Sequence, residues 1–324
     1  MKLRNILALM GLLALGLVIY LNRDEFVRVW HLLQKLRWYV LVIIILLQLA
    51  SYWVNGLYYR SILRIFGYEV GIERLYEGAL ATNFVNYVLP TAGLAGAGYL
   101  SQVLSPEVPR GESFLTQLMR YALSGLAVLF MLPVGIALLL ASKESANPVV
   151  KATIISAAAI TLLAVLTAAL VQREKWVYHI LNWIARDLKR VFKKFDVERV
   201  RGFADEFYAG WHRLTAEKRK MAVPFGWSIV YIAIEMGTFY VTFLAFSIVM
   251  NPGITVMAYL FANIASIFGG VFISTGVFEV GMAGTLVALG TPFALAFSVT
   301  VVYRALNLLV GLPAGFYFYR KYLP

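Results

Sequence analysis

The chain has 324 residues, of which 61% are hydrophobic and only 14% charged, against roughly 45–50% apolar and about 25% charged in soluble globular domains. An ordinary soluble domain is excluded, and the surplus apolar surface must face lipid. Lys and Arg number 29 against 17 Asp and Glu, a formal charge of +12, and cysteine is absent, which removes disulfides, thiolate chemistry and cysteine metal sites.

A helix needs ~20 apolar residues to cross the ~30 Å hydrocarbon core, and six stretches qualify: residues 3–21, 38–59, 114–140, 149–171, 221–249 and 292–319. The first has Lys2 and Arg4 ahead of its apolar run but no small-residue cleavage site after it, and is expected to be a retained span. Residues 24–36, with Phe26, Val27, Trp30 and Leu33, make a short amphipathic piece. Two further apolar regions read differently. Residues 76–104 are broken by Pro90 and by Gly93, Gly96 and Gly98, leaving legs too short to cross. Residues 254–290 carry Gly269, Gly270, Gly276 and Gly281 around Ser274 and Thr275. Both are expected to enter the membrane as helical hairpins and return to the face they left.

The only substantial polar segment, residues 172–220, holds 13 of the 29 positive charges. Apolar residues at helical spacing from Trp176 to Phe195 alternate with Arg186, Lys189, Arg190, Lys193 and Lys194. This is the pattern of a basic amphipathic helix lying on anionic lipid headgroups at the inner leaflet. With both hairpins returning to their own side, 21 Lys and Arg fall inside and 6 outside, which places both termini inside. The basic charge therefore labels the inner face, and no nucleic-acid partner is expected. The expected fold is an all-α polytopic membrane protein of about six spans plus two hairpins of opposite orientation, one transmembrane domain over residues 1–324. Opposed hairpins are what an inverted-topology repeat produces. A sequence echo agrees: Arg120-Tyr121-Ala122-Leu123 then Leu132-Pro133-x-Gly135, against Tyr303-Arg304-Ala305-Leu306 then Leu312-Pro313-x-Gly315.

Ionisable groups inside spans cost on the order of 2.5–3.5 kcal/mol by insertion scales and mark function by default. Arg120, Glu235, Glu279 and Arg304 are such groups, and the last three sit at compatible depths for an ion-pair cluster. Gln117 and Arg120 share a helix face with Ser124, Arg304 shares one with Asn307, and Asn83 and Asn86 lead into Pro90. These residues are the expected substrate-binding groups, and Pro90, Gly93, Gly96, Gly98 and Gly276 the hairpin backbone beside them. His31, His179 and His212 share no ligand spacing, so neither a metal nor another cofactor is expected.

At Asn83-x-x-Asn86-x-x-Leu89-Pro90 with Gly93, Gly96 and Gly98, at Gly276-Val277-Phe278-Glu279 and at Tyr303-Arg304, the chain resembles a known family. This is the flippase-like transmembrane family typified by the membrane half of bacterial lysylphosphatidylglycerol synthase/flippase proteins. It departs at Ile273-Ser274-Thr275, where the family often has Pro-Gly-Gly, and in the small residues after Leu89-Pro90, where many members carry Arg or Glu. The sequence ends at Pro324 without an aminoacyl-transferase domain, so the resemblance implies the translocation part alone. It points to a flippase of the cytoplasmic membrane moving a polar-headed phospholipid or glycolipid between leaflets, with a separate lipid-modifying enzyme as a partner. Two alternatives share the architecture: an integral-membrane enzyme acting on lipid-phosphate or polyprenyl-phosphate substrates, and a secondary transporter of a small molecule or ion. The isolation of Glu235 and Glu279 in sequence argues against the enzyme.

Overall fold

The computed structural model describes residues 23–89, 93–142, 147–171, 218–269 and 276–322. The apolar stretch at 3–21, Pro90, Ile273 to Thr275 and the body of the basic segment, 172–217, lie outside the described residues. Among those described, the chain forms ten helices and no strand. They are α1 (Arg23–Gln34), α2 (Trp38–Ile65), α3 (Ile72–Val88), α4 (Leu94–Leu104), α5 (Arg110–Leu140), α6 (Pro148–Val171), α7 (Lys218–Ala245), α8 (Pro252–Gly269), α9 (Val277–Ala288) and α10 (Phe293–Lys321).

Hydrocarbon permits little else, because each backbone N–H and C=O inside it must be satisfied within its own element or a closed sheet. Helices α2, α5, α7 and α10 are long and apolar enough to cross a membrane, yet only 33–50% of the apolar window of each is buried in the bundle. The rest faces outward: Leu46, Ile155, Leu162, Leu163, Val280 and Leu309 are each more than half exposed. Apolar surface on this scale is stable only with lipid as its solvent, and the chain is a multi-pass membrane protein.

Helix ends differ from the apolar stretches by a few residues, for local reasons. α2 continues past residue 59 to Ile65 because its last turns are amphipathic, with Arg64 Nε 2.9 Å from Glu69. α7 stops at Ala245, whose carbonyl accepts the Arg37 N–H at 2.9 Å, and Ser247 then turns left-handed at φ 63°. In α1 the buried residue is Val29, whereas Val27 and Trp30 point outward.

The helices fall into two sets of matching length. α2, α3, α4 and α5 have 28, 17, 11 and 31 residues; α7, α8, α9 and α10 have 28, 18, 12 and 29. At 1.5 Å per residue, the short members reach only ~16–27 Å, less than the ~30 Å core. The substantial packings obey one exchange rule, in which each helix is replaced by the one five places along. α3/α4 maps to α8/α9, α2/α3 to α7/α8, α4/α5 to α9/α10, and α3/α10 to α8/α5. α2/α10 likewise maps to α7/α5, α2/α5 to α7/α10, and α1/α10 to α6/α5, while α2/α7 maps to itself. That self-paired couple is antiparallel: Arg37 meets Ala245 and Gln48 meets Glu235.

The Leu-Pro-x-Gly echo has a packing cause. A Cβ at Gly315 on α10 would stand 2.6 Å from the Leu80 carbonyl oxygen on α3, and one at Gly135 on α5 would stand 2.4 Å from Met257 Sδ on α8. Each glycine thus admits the first helix of the other set's short pair. Aromatic contacts continue the α3/α10 seam, with Phe84 against Phe316 at 5.6 Å and Tyr319 at 5.4 Å.

Both ends of the first short pair lie on one side of the bundle. Arg74, near the start of α3, pairs with Glu107, just after α4, and Glu77 pairs with Lys321 at the end of α10 at 2.8 Å. Buried apolar residues gather in one cluster around α3 and α4, a larger one around α5 and α7 to α10, and a small one of Tyr58, Ile62, Met119 and Leu123 between α2 and α5. On α2, Val40 and Ile44 belong to the larger cluster and Tyr59 and Leu63 to the one around α3 and α4, so residues 48–55 lie at the junction.

Gly315→Ala is expected to lower the thermal midpoint in detergent by several degrees, since overpacking against backbone costs about 1–3 kcal/mol. Gly135→Ala should cost less because the flexible end of Met257 can yield. Gly98→Ala, whose Cβ meets nothing within 4 Å, should cost nothing. A reversed order would show that these glycines do not set the helix approach.

Candidate functional site

Each short pair turns at a left-handed glycine that caps its second helix: Gly93 before α4 at φ 87° and Gly276 before α9 at φ 97°. A β-carbon is strained there, and glycine is the residue that adopts this conformation readily. The two tips lie at one place. Tyr87 stands one residue from the end of α3 and Glu279 in the first turn of α9, and both contact Arg304 of α10.

Arg304 Nε lies 2.7 Å from Glu279 Oε1, and its NH1 donates to the Tyr87 hydroxyl at 3.3 Å. The guanidinium also sits over the Tyr87 ring at 4.9 Å and the Phe278 ring at 5.8 Å, so cation–π attraction adds to the ion pair. From Tyr87 the polar contacts continue inward. The Tyr87 hydroxyl donates to Asn307 Oδ1 at 2.8 Å, Asn307 Nδ2 to Gln48 Oε1 at 2.9 Å, and Gln48 Nε2 to Glu235 Oε2 at 3.3 Å. The Tyr303 hydroxyl donates to the same Glu235 oxygen at 2.6 Å.

Helices α2, α3, α7, α9 and α10 thus share one chain of seven polar side chains, from Glu279 to Tyr303. Of the expected ion-pair cluster, Arg304 and Glu279 come together directly. Glu235 joins through Tyr303 and Gln48, with no Lys or Arg within 4 Å among the described residues. Sequence places Glu235 and Arg304 at similar depth but cannot show which helix faces lie between them.

Arg120 forms a second centre. Its NH1 donates to Asn55 Oδ1 at 3.1 Å, and its guanidinium lies over Tyr59 at 5.5 Å and Tyr121 at 5.1 Å. Gln117, fully buried, accepts from the Tyr59 hydroxyl. The first pair closes around this centre through Asn86, whose Nδ2 donates to the Tyr121 hydroxyl at 2.9 Å and whose Oδ1 accepts the Gly96 N–H at 3.0 Å. Asn83 donates to the Tyr52 hydroxyl at 2.6 Å. The neighbourhood of Pro90 and the role of 172–217 lie outside the described residues.

One feature is not among the residues singled out from sequence. Gln48, Tyr52, Asn55 and Tyr59 are all buried on α2 at spacings of four, three and four, which puts them on one helix face. They meet Glu235 and Asn307, Asn83, Arg120 and Gln117 in turn, so the stripe joins the two arginine centres over ~17 Å of helix. The signal was present: Gln48 and Asn55 are amides in an otherwise apolar span, where polar side chains are expected to find interhelical partners.

Removing one partner of a shielded ion pair leaves the other uncompensated. Arg304→Ala and Glu279→Ala should therefore each lower the unfolding midpoint in detergent. The double variant should recover part of the loss, with a coupling on the order of 1–3 kcal/mol. Strict additivity would mean the pair contributes nothing.

Among curated proteins and among solved structures, no match to the chain is found. Over residues 6–315 the sequence matches the family described as the lysylphosphatidylglycerol synthase TM region, and the chain belongs to that family.

Proposed function

We propose that the bundle is a flippase that carries a polar-headed phospholipid or glycolipid between leaflets, with the headgroup following the polar chain and the acyl tails remaining in lipid. The observation that carries this reading is the junction itself. An ion pair, two amides, a buried carboxylate and two tyrosine hydroxyls run between helices whose outer faces are apolar. Interhelical glue in a membrane is supplied by small residues and isolated polar pairs; a continuous chain of seven polar groups exceeds that need. Family membership supports a lipid-related role in the membrane.

In this reading α2–α5 and α7–α10 are the two halves of an inverted repeat. The matched lengths, the exchange rule and the antiparallel α2/α7 couple support it. The short pairs enter the membrane from opposite faces and meet near its middle, as discontinuous helices do in transporters built from such repeats. Both chain termini face inside, and the membrane is the cytoplasmic one. Residues 172–220 hold anionic headgroups at the inner leaflet, and a separate lipid-modifying enzyme supplies substrate. Movement of one tip against the other breaks either the Arg304–Glu279 or the Arg304–Tyr87 contact, so Arg304 is the latch between two arrangements.

Purified protein in vesicles carrying fluorescent lipids of different headgroup should speed the appearance of label in the opposite leaflet, with headgroup preference and without chemical change. Arg304→Ala and Glu279→Ala should each stop this movement in protein that remains monodisperse in detergent. Unchanged movement in both would leave these charges a purely structural role, and a new lipid product detected by mass spectrometry would favour the enzyme instead.

A further inference from the structure

The two arginine centres are built alike except at one atom. Each arginine is the eleventh or twelfth residue of its long helix, Arg120 in α5 and Arg304 in α10. Each guanidinium is flanked by two aromatic rings, and each NH1 donates to a neutral oxygen, Asn55 Oδ1 or the Tyr87 hydroxyl. The difference is at Nε. In Arg304 it faces the Glu279 carboxylate at 2.7 Å. In Arg120 it is buried with no partner, and no carboxylate lies within 4 Å of the side chain among the described residues.

The sequence explains the difference. Glu279 stands three residues after the left-handed cap Gly276; three residues after the left-handed cap Gly93 stands Gly96. The first half has a glycine where the second half has its carboxylate, and the Asn86 amide fills that space. Arg120 Nε is accompanied by other unsatisfied groups. Ser113 Oγ and Gln117 Nε2 are buried without a partner on the same face of α5, at i, i+4 and i+7. Buried polar atoms are rarely left unpaired, and here an uncompensated cation and an amide donor lie one turn apart.

We propose that Arg120, with Gln117 beside it, is the receptor for the phosphate of an anionic phospholipid headgroup, which displaces the Asn86 amide and takes the place that Glu279, its built-in counterpart, holds at Arg304. A guanidinium offers Nε and a terminal nitrogen as a fork that matches two phosphate oxygens, and the Tyr59 and Tyr121 rings fix its plane. This rests on the lipid-translocation reading and deepens it, by giving the substrate a negative phosphate and the two halves unequal roles.

The test counts lipids retained by the full chain, released from a non-ionic detergent into native mass spectrometry. The probes are dioctanoyl-phosphatidylglycerol and, as a tail-only control, dioctanoylglycerol. The wild-type protein should retain one phosphatidylglycerol and no dioctanoylglycerol. Arg120→Gln should reduce occupancy at least ~tenfold, and Arg120→Lys should restore part of it. Glu279→Gln should retain two lipids, since Arg304 is then uncompensated, and Glu279→Gln with Arg304→Gln should return to one.

A second phosphatidylglycerol that is lost again in the double variant and is not matched by dioctanoylglycerol is not a product of misfolding, so the Glu279→Gln count stands even if Arg120 variants prove unstable. Wild-type occupancy in Arg120→Gln, or a single lipid in Glu279→Gln, would overturn the proposal. Full displacement of the lipid by millimolar inorganic phosphate would overturn its lipid part and assign the site to a free anion. No translocation enters this measurement, so a loss of lipid movement in vesicles with binding intact would count against the transport reading alone.

Discussion

The meeting of the two short helix pairs depends on one contact, the Arg304–Glu279 ion pair. A helix terminus leaves up to four N–H or C=O groups unsatisfied, and lipid offers nothing in exchange. The ends of α3 and α9 are brought together around one guanidinium, which contacts Tyr87 from one and Glu279 from the other. Left-handed Gly93 and Gly276 cap the helices, α4 and α9, that start at these tips. The close approaches at Gly135 and Gly315 hold the short helices against the long ones. Removing either charge would leave the other, on α9 or on α10, shielded from water without its counter-ion.

The two halves exchange every substantial helix packing but do not exchange chemistry. Their helices match in length, in the left-handed glycine caps and in the proline of the last long helix, whereas their charges do not: Glu279 has Gly96 as its counterpart and Glu235 has no carboxylate equivalent in α2, where the polar face carries Gln48 and Asn55. Packing in a membrane depends on shape and small residues, so a repeat can keep its backbone while its few polar positions diverge. Information about function is concentrated in that divergence.

Much of the architecture was legible in the sequence because lipid enforces a length rule. Spans of ~20 apolar residues, the glycine breaks at 93 and 276 and the paired Leu-Pro-x-Gly motifs all register in one dimension. The reason for the motif did not, because Gly315 is needed by Leu80 and Phe84, which are more than two hundred residues away. Arg120, Glu279 and Arg304 stood out as charges among apolar letters. The stripe Gln48, Tyr52, Asn55 and Tyr59 did not, because tyrosine counts as apolar in a hydropathy reading and two amides are a weak signal. The contacts of Glu235 are not legible for a related reason: similar depth in two helices does not say which faces meet, and the hydroxyl of Tyr303, one residue before Arg304, is turned toward it.

Under the proposed translocation, the unequal arginines set the order in which a charged headgroup meets them. An anion at Arg120 neutralises a guanidinium that the fold leaves uncompensated, so it enters a site already short of one negative charge. To reach Arg304 it must take the place of Glu279, trading one oxyanion for another on the same guanidinium. The exchange keeps Arg304 paired, but it leaves Glu279 and the vacated Arg120 both without an opposite charge, and bare ions are what hydrocarbon penalises. The displaced carboxylate then needs a hydrogen-bonded berth of its own, and the neutral hydroxyls and amides between Tyr87 and Gln48 are the nearest groups able to solvate it. A bundle with two open arginines would hold an anion at each and release neither readily. One open and one self-occupied arginine give the headgroup two unequal positions, with Arg120 the one that an anion enters without displacing a carboxylate.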